Sequence, residues 1–265
     1  MRKYQNCTIF FIAFIAGIFL SVSYVNPYEG DIFLSELVLQ LSGSRAEFVL
    51  NYSSAMELVD LAMRLMPSVI METFLGIALY RHFCTASVYV FSRCTDRIKW
   101  YWREMLSVGM DVFIFQGVVM AVVIITAALR YQIGVDVPGV YLLVCHFVIY
   151  TLWSYSIVVL MNLVALGFGS SLSFTAVMTI QSILIVLLGA GRVFLRFNPA
   201  ARLVLGWQKS LVPVVDKMQT SAYGNFYLEE SLLVLAIINI VILIIGASIV
   251  KRHDLLISDS EIGVG

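Results

Sequence analysis

The chain has 265 residues, of which 60% are hydrophobic and only 13% are charged, and its net charge is zero. Soluble domains carry about 25% charged residues, so the composition excludes an ordinary soluble protein and predicts an all-α, polytopic membrane protein. The four cysteines are scattered, with no CxxC pair and no clustered histidines, and therefore indicate neither a metal site nor a disulfide framework.

Six apolar segments have the length of membrane-spanning helices. Such a helix needs about 20 apolar residues, because it crosses about 30 Å of hydrocarbon at about 1.5 Å per residue. The predicted spans are 8–25, 62–80, 106–129, 140–163, 172–194 and 231–250. Together they predict one transmembrane domain over 1–265. The first segment follows Arg2 and Lys3 and also has the pattern of a secretory signal peptide; we expect it to be retained.

The distribution of basic residues predicts that both termini are cytoplasmic. In that orientation the short inner segments hold nine Lys and Arg residues, whereas the outer loop 26–60 holds only Arg45 against six acids. Lys and Arg favour the cytoplasmic side. Four basic residues before the last span oppose this bias, and we expect them to reach headgroups: Arg196, Arg202, Lys209 and Lys217.

Two outer segments have their own patterns. Residues 30–42 place apolar side chains at mostly helical spacing, which predicts a helix lying on the outer leaflet. Residues 199–219 alternate apolar and polar groups and are broken by Pro213, which predicts a surface-lying or re-entrant piece. A re-entrant backbone is tolerated only where protein or water satisfies its polar groups.

Several polar residues fall inside the predicted spans. They are Glu72, Asp111, Gln116, His146, Asn162, Gln181 and Asn239. Ionisable groups in a bilayer are costly, so each is a functional candidate, although polar groups also fix helix bundles. We expect the amides to fix the bundle; for Glu72, a proton relay and a structural ion pair both remain open. Arg64 and Arg192 are expected to snorkel to the interface.

Signatures of enzymes are absent from the sequence. There is no HExxH helix, no GxSxG elbow, no aspartyl-protease-like Asp pair and no nucleotide-binding motif. We therefore expect that the chain is not an enzyme, that it binds no cofactor or nucleic acid, and that any use of ATP occurs on another chain.

The segment 81–104 joins the second and third predicted spans and interleaves basic and aromatic residues. Its basic residues are Arg81, Arg93, Arg97, Lys99 and Arg103. A short basic segment between spans marks the cytoplasmic side. The mixture predicts an interfacial helix that receives force from a soluble partner.

Within this segment, YVFSRCTDRIKWYWREML at 89–106 places Arg93, Arg97 and Trp100 just before the third span. This pattern, with six spans and an extended outer segment between spans five and six, resembles permeases of the type-2 ABC exporter class. The chain is similar to the small bacterial permeases linked to peptide antibiotic export or immunity. It departs from many members in that only 1–6 precede the first span, where they have an amphipathic helix.

The resemblance implies a complex in the bacterial cytoplasmic membrane. Two permease subunits, identical or homologous, would pair with two ATP-binding subunits that hold ATP and Mg, in contact with membrane lipid. Coupling to the ATPase would involve Thr85, Tyr89, Arg93, Arg97 and Trp100. Glu72 and Gln181 would line the translocation path, and Trp207 and Pro213 would belong to an outer gate. The exported substrate would be hydrophobic or amphipathic, such as a peptide or a lipid.

Other classes of function remain open from the sequence. The chief alternative is a membrane assembly or immunity component that binds a partner protein without transporting anything. An intramembrane enzyme lacks paired catalytic residues, and a secondary transporter often shows internal repeats, of which none is visible here.

Overall fold

The computed structural model describes residues 2–25, 31–43, 55–76, 97–189, 192–218 and 226–252. Nine α-helices fall within these ranges: α1 Arg2–Tyr24, α2 Leu34–Leu41, α3 Ala55–Leu75, α4 Arg97–Arg130, α5 Val137–Phe168, α6 Ser170–Val186, α7 Arg192–Phe197, α8 Pro213–Met218 and α9 Leu228–Arg252. Short 3-10 helices cover Leu187–Gly189, Pro199–Leu203 and Leu205–Trp207. Strands β1 Asp31–Phe33 and β2 Gln132–Gly134 pair in parallel.

Four helices are long and apolar enough to cross a membrane, which agrees with the predicted helical membrane class. They are Cys7–Tyr24, Arg97–Arg130, Val137–Phe168 and Leu228–Lys251, and they correspond to the first, third, fourth and sixth predicted spans. The second and fifth segments are helical as α3 and α6, and their role as spans remains a prediction. Residues 77–80 of the second segment lie outside the described residues.

The fifth predicted span, 172–194, is not one continuous helix. It ends at Val186, continues as a 3-10 turn over Leu187–Gly189, and resumes as the short helix Arg192–Phe197. The sequence through this break contains Gly189 and Gly191. Glycine costs about 1 kcal/mol relative to alanine in a helix interior, so an apolar run with two closely spaced glycines is a weak helix.

The long helices pack side by side into a bundle. Helix α1 lies along α4, and α5 contacts α2, α4, α6 and α9. At Gly17 the approach of α1 to α4 is close enough that a Cβ would lie 2.7 Å from the Val122 Cβ. Small residues of this kind let helix backbones approach, and the resulting packing contacts help to hold helices together in a bilayer.

One end of the bundle is covered by the two-stranded sheet and by α2, and we call it the capped end. The Asp136 carboxylate joins two helix N-termini there: Oδ2 accepts from the Gly139 amide of α5 at 3.2 Å, and Oδ1 accepts from the Ser35 amide of α2 at 3.1 Å. A Cβ at Gly139 would collide with the Leu34–Ser35 backbone. One carboxylate and one glycine therefore fix how α2 sits on α5.

Helix α2 confirms the predicted helix within 30–42 but corrects its location. Its apolar residues are covered by protein rather than lying on the outer leaflet: Leu34, Leu37, Val38 and Leu41 are all buried. The apolar spacing of a short amphipathic helix is the same whether lipid or protein covers it. Here α5 supplies the cover.

Part of the segment between α7 and α9 lies in the protein interior, while its surface-lying or re-entrant character relative to the membrane stays a prediction. Residues 200–208 are all buried, although they form only 3-10 turns. The Gln208 side-chain amide donates to the carbonyls of Arg202, at 2.7 Å, and Val204, at 3.3 Å. These bonds satisfy backbone groups that a regular helix would satisfy by itself.

Candidate functional site: a polar seam inside the bundle

Polar side chains recur every fourth residue on the two facing helices α3 and α5. On α3 they are Arg64, Ser68 and Glu72, and on α5 they are His146, Tyr150 and Ser154. Residues four apart share one helix face, and α3 packs against α5. With one glutamine each from α4 and α6 they form what we call the polar seam: Arg64, Ser68, Glu72, Gln116, His146, Tyr150, Ser154 and Gln181.

Glu72 and Gln181, which the sequence predicts to share a translocation path, are in direct contact. The Gln181 amide nitrogen donates to Glu72 Oε2 at 3.1 Å, although the two residues are 109 positions apart. Glu72 is 0% exposed and Gln181 is 2% exposed. The contact joins α3 to α6, the second and fifth predicted spans.

Two oxygens of this pair have no hydrogen-bond donor among the described residues. They are Glu72 Oε1 and Gln181 Oε1. The hydroxyl of Ser154 lies beside the Glu72 carboxyl and interacts with it. A buried acceptor without a donor costs about 1–3 kcal/mol. A hydrogen placed between these two oxygens would give the pair the hydrogen-bond donor that it lacks.

Gln116 extends the seam from Glu72 towards the capped end. Its amide nitrogen lies 3.3 Å from the Ser68 hydroxyl and 3.4 Å from the Ser154 hydroxyl, so one amide bridges α3, α4 and α5. The sequence predicts that Gln116 fixes the bundle. The structure agrees and also places it in the same network as Glu72.

Arg64 differs from its predicted role. Instead of snorkelling to the interface, its guanidinium donates to the carbonyls of Gln40 and Leu41, the latter at 3.5 Å. It also lies 4.0 Å from the centre of the Tyr24 ring. The carbonyls at a helix C-terminus have no intrahelical partner and carry partial negative charge. Arg64 thus caps α2. The side chain of Arg192 lies outside the described residues.

A small cavity lies between Arg64 and Gln116. Its volume is about 20 Å³, and its polar lining comes from Arg64, Ser68, Gln116, His146 and Tyr150. A single water molecule needs about 10–15 Å³ of this kind of volume and two to four polar partners, so the cavity suits one water. His146 Nδ1 is buried without a partner among the described residues.

The other buried amides hold neighbouring helices, as the sequence predicts. Asn162 Nδ2 donates to the Leu75 carbonyl at the end of α3, at 3.0 Å. Asn239 Nδ2 donates from α9 to the Leu152 carbonyl of α5, at 2.9 Å. Each amide also bonds to its own helix. These contacts join α5 to the end of α3 and to α9.

The predicted coupling residues are only partly described. Thr85, Tyr89 and Arg93 lie outside the described residues, and Arg97 and Trp100 lie in the first turn of α4. That helix runs without a break into the third span. Close by, the buried Tyr101 hydroxyl donates to the Leu243 carbonyl of α9 at 3.1 Å. The N-terminal end of α4 is thereby fixed to α9.

The two residues predicted for the outer gate differ in exposure. Trp207 is buried, at 1% exposure, and anchors the segment that enters the interior. Pro213 is exposed and begins α8. Proline is favoured at the first helical position, because that position needs no amide hydrogen for the helix.

A polar cluster that the sequence did not predict ties this segment to α9. Glu229 Oε1 accepts from the Tyr141 hydroxyl at 2.7 Å, the Ser210 hydroxyl at 3.1 Å and the Leu211 amide at 3.2 Å. The sequence feature that could have indicated this cluster is the pair of acids Glu229 and Glu230 at the start of the apolar helix α9, where the helix dipole favours negative charge.

Next to this cluster, the buried Arg202 guanidinium reaches two residues of α9. It lies 3.6 Å from Glu230 and donates to the Ser231 hydroxyl at 3.1 Å. Burial lowers the pKa of Arg202 from its usual value, and the neighbouring Glu230 carboxylate opposes that shift. The sequence predicts that Arg202 reaches headgroups; it is instead held within the protein.

No protein family model, no curated protein and no solved structure matches this chain.

Proposed function

We propose that the chain is a permease subunit of an ATP-driven type-2 ABC exporter in the bacterial cytoplasmic membrane. It works with a second permease and two ATP-binding subunits that supply ATP and Mg. Its substrate is a hydrophobic or amphipathic molecule, such as a peptide or a lipid. ATP hydrolysis takes place on the partner chains.

The contact between Glu72 and Gln181 is the observation that carries this proposal. Ionisable residues inside a membrane helix are costly and usually mark a pathway or a relay. Here a fully buried carboxyl on α3 is held by an amide on α6 at 3.1 Å. A transporter in which substrate passes along the second and fifth spans needs polar groups on those two helices.

The outward face of α6 supports contact with a second permease on the side opposite the buried Gln181. Ser173, Val177 and Gln181 face the protein and are buried, whereas the opposite face is exposed. That face lines an open depression of about 480 Å³ and carries three hydroxyl groups, on Thr175, Thr179 and Ser182. A second permease laid against this depression would meet this chain along α6 at an interface that contains these hydroxyl groups.

The buried segment between α7 and α9 supports an outer gate. Trp207 and Arg202 hold it inside the protein at the capped end, and Glu229 closes it against α5. It is held by short 3-10 turns, by backbone bonds of Lys209 with Phe226 and Leu228, and by side-chain contacts, rather than by a continuous α-helical backbone ladder. Such a segment can be released by exchanging a few polar contacts.

The inner end of α4 supports contact with a soluble ATPase. The helix has 34 residues, which corresponds to about 50 Å, while the hydrocarbon core is about 30 Å thick. The surplus includes Arg97, Lys99 and Arg103, and Trp102 is 44% exposed. A basic, aromatic helix end that projects from the membrane is suited to docking a soluble protein.

Affinity purification of the tagged chain in mild detergent tests the proposal. We expect mass spectrometry to find an ATP-binding subunit in the eluate, together with vanadate-sensitive ATPase activity. A chain that purifies with a protein lacking any nucleotide-binding motif, and without ATPase activity, would instead identify the assembly or immunity component. A chain that purifies alone and without ATPase activity would contradict the permease proposal.

A further inference from the structure

The polar seam ends in a carboxyl that has no counter-charge among the residues that the structure describes. Arg64 is the basic residue of α3 on the same face, but it lies eight residues away, about 12 Å along the helix, and its guanidinium already binds carbonyls of α2. Glu72 receives one amide hydrogen bond from Gln181. Burying a charged carboxylate with so few donors is strongly unfavourable, and such groups neutralise instead.

The two oxygens that lack donors indicate how neutralisation occurs. Glu72 Oε1 and Gln181 Oε1 belong to side chains that are already joined by one hydrogen bond. A proton on Glu72 Oε1 turns the carboxyl into a donor, and the neighbouring amide oxygen is an acceptor. The acid and the amide then satisfy each other through two bonds, which a carboxylate cannot do.

A metal ion fits the same site poorly. The two free oxygens are fewer than the six to eight oxygen ligands that Ca²⁺ takes or the octahedral set that Mg²⁺ requires. No group of three His, Cys, Asp or Glu side chains gathers anywhere in the described part of the chain. A proton needs only one oxygen and one acceptor.

The seam also supplies a route to water. From Glu72 the polar groups continue through Ser154, Gln116 and Ser68 to the cavity that suits one water molecule. The cavity lies towards Arg64 and the capped end. The Ser68 and Ser154 hydroxyls can both accept and donate hydrogen bonds by rotating, whereas the Gln116 amide nitrogen only donates and therefore holds the two hydroxyls in place along the route.

We propose that Glu72 is a proton-binding site that is loaded from the capped end through the polar seam. In the packed state the carboxylate has taken a proton from hydronium, giving a neutral acid and water. When α3 and α6 separate and water reaches the pair, the acid returns the proton to water. This site is independent of whether the partner is an ATPase.

Among the described residues that pack around the Glu72–Gln181 pair, Glu72 is the acid of the proposed route. In the described part of the chain, α6 contributes no titratable side chain, and α5 contributes His146 and Tyr150 to the seam. The hydroxyls of Tyr155 and Tyr141 on α5 donate elsewhere, to the Met105 carbonyl and to Glu229, and Cys145 is buried. Helix α4 contributes Asp111, which has other interactions; α1 contributes Tyr24, which lies under Arg64. None of these supplies a second carboxylate in contact with Gln181.

Infrared spectroscopy of the purified full chain at neutral pH tests the site, because the carbonyl stretch of a protonated acid is distinct from that of a carboxylate. We expect this band in the wild type and its loss in Glu72→Gln. Glu36→Gln, which alters an exposed carboxyl on α2, is the matched control and should keep the band. A wild-type spectrum without the band, or a band that survives in Glu72→Gln, would overturn the proposal.

Exchange into D₂O tests the route. The rate at which the band shifts should fall about tenfold or more in Gln116→Leu, because one polar contact of the route is lost. Ser154→Ala is a milder variant that should slow exchange in the same direction, and Asn239→Leu is the control outside the seam. Wild-type exchange rates in both seam variants would overturn a route through the seam.

Discussion

The Tyr141 hydroxyl of α5 donates a hydrogen bond of 2.7 Å to Glu229, 88 residues later, at the first turn of α9. The same carboxylate oxygen accepts from the Ser210 hydroxyl and the Leu211 amide, in the segment between α7 and α9. Three parts of the chain therefore meet on one atom. This oxygen is one of the points at which the segment between α7 and α9 is attached to the bundle, together with the contacts of Arg202 to α9.

Replacing Tyr141 by phenylalanine should loosen this attachment. The change removes one hydrogen bond to a carboxylate and should lower the free energy of unfolding by about 1.5–3 kcal/mol, measured by thermal unfolding in detergent. Tyr227→Phe is the matched control, because Tyr227 is 44% exposed and should unfold like the wild type. Equal unfolding of the two variants would contradict the proposed role of Tyr141.

Asp136 should matter for the capped end because it serves two helices. Asp136→Ala removes the side-chain cap of α5 and the bond to the Ser35 amide, and should cost about 0.5–2 kcal/mol of unfolding free energy. Asp136→Asn keeps a capping oxygen and should cost less. An alanine variant as stable as the asparagine variant would show that the capping bonds contribute little.

The sequence predicts the helical class of this chain well, and the partners of its polar residues poorly. Apolar length alone identifies the spanning helices, because the thickness of the hydrocarbon sets it. Glu72 and Gln181 are also visible in the sequence, because each is a polar residue that interrupts an apolar run. Their contact across 109 positions is invisible in the sequence, because periodicity assigns a residue to a face but not to a partner.

Other features escaped the sequence for related reasons. The amphipathic pattern of α2 fits a lipid surface and a protein surface equally, so its burial against α5 was not predictable. The sequence places Arg64 at the interface, because a basic side chain near the end of an apolar run usually extends to water. Its partners in the structure are main-chain carbonyls of α2, at least 23 residues earlier, and no sequence pattern indicates such a contact. The four-residue spacing from Arg64 to Glu72 was the signal that could have revealed the seam.

Glu72→Gln should separate transport from assembly. The new amide can donate to Gln181 Oε1 while the existing bond is kept, so both side chains are satisfied and the fold should be retained. If transport depends on Glu72, efflux of a fluorescent amphipathic peptide should fall while the yield of the purified complex stays at the wild-type level. Equal loss of efflux and yield would make Glu72 a structural residue.

Charge reversal at the inner end of α4 should uncouple the ATPase. Under the proposed function, Arg97→Glu and Arg93→Glu should reduce recovery of the ATP-binding subunit or its stimulated ATPase activity, because both place a carboxylate in a basic docking surface. Arg130→Glu, at the opposite end of the same helix, is the control and should recover the partner normally. Unchanged recovery and unchanged ATPase stimulation in the Arg97 and Arg93 variants would count against this docking surface.

Cysteine cross-linking should detect the second permease along α6. Single cysteines at Thr179, Ser182 and Val186 lie on the exposed face, and in a chain freed of its natural cysteines they should form disulfide-linked dimers in membranes under mild oxidation. The control is Val177→Cys, whose position faces the protein and is 1% exposed, and it should remain monomeric. Outward positions that give no dimer would remove this face from the permease interface. Dimers at Val177 alone would place the interface on the side of α6 that contacts the bundle in this structure.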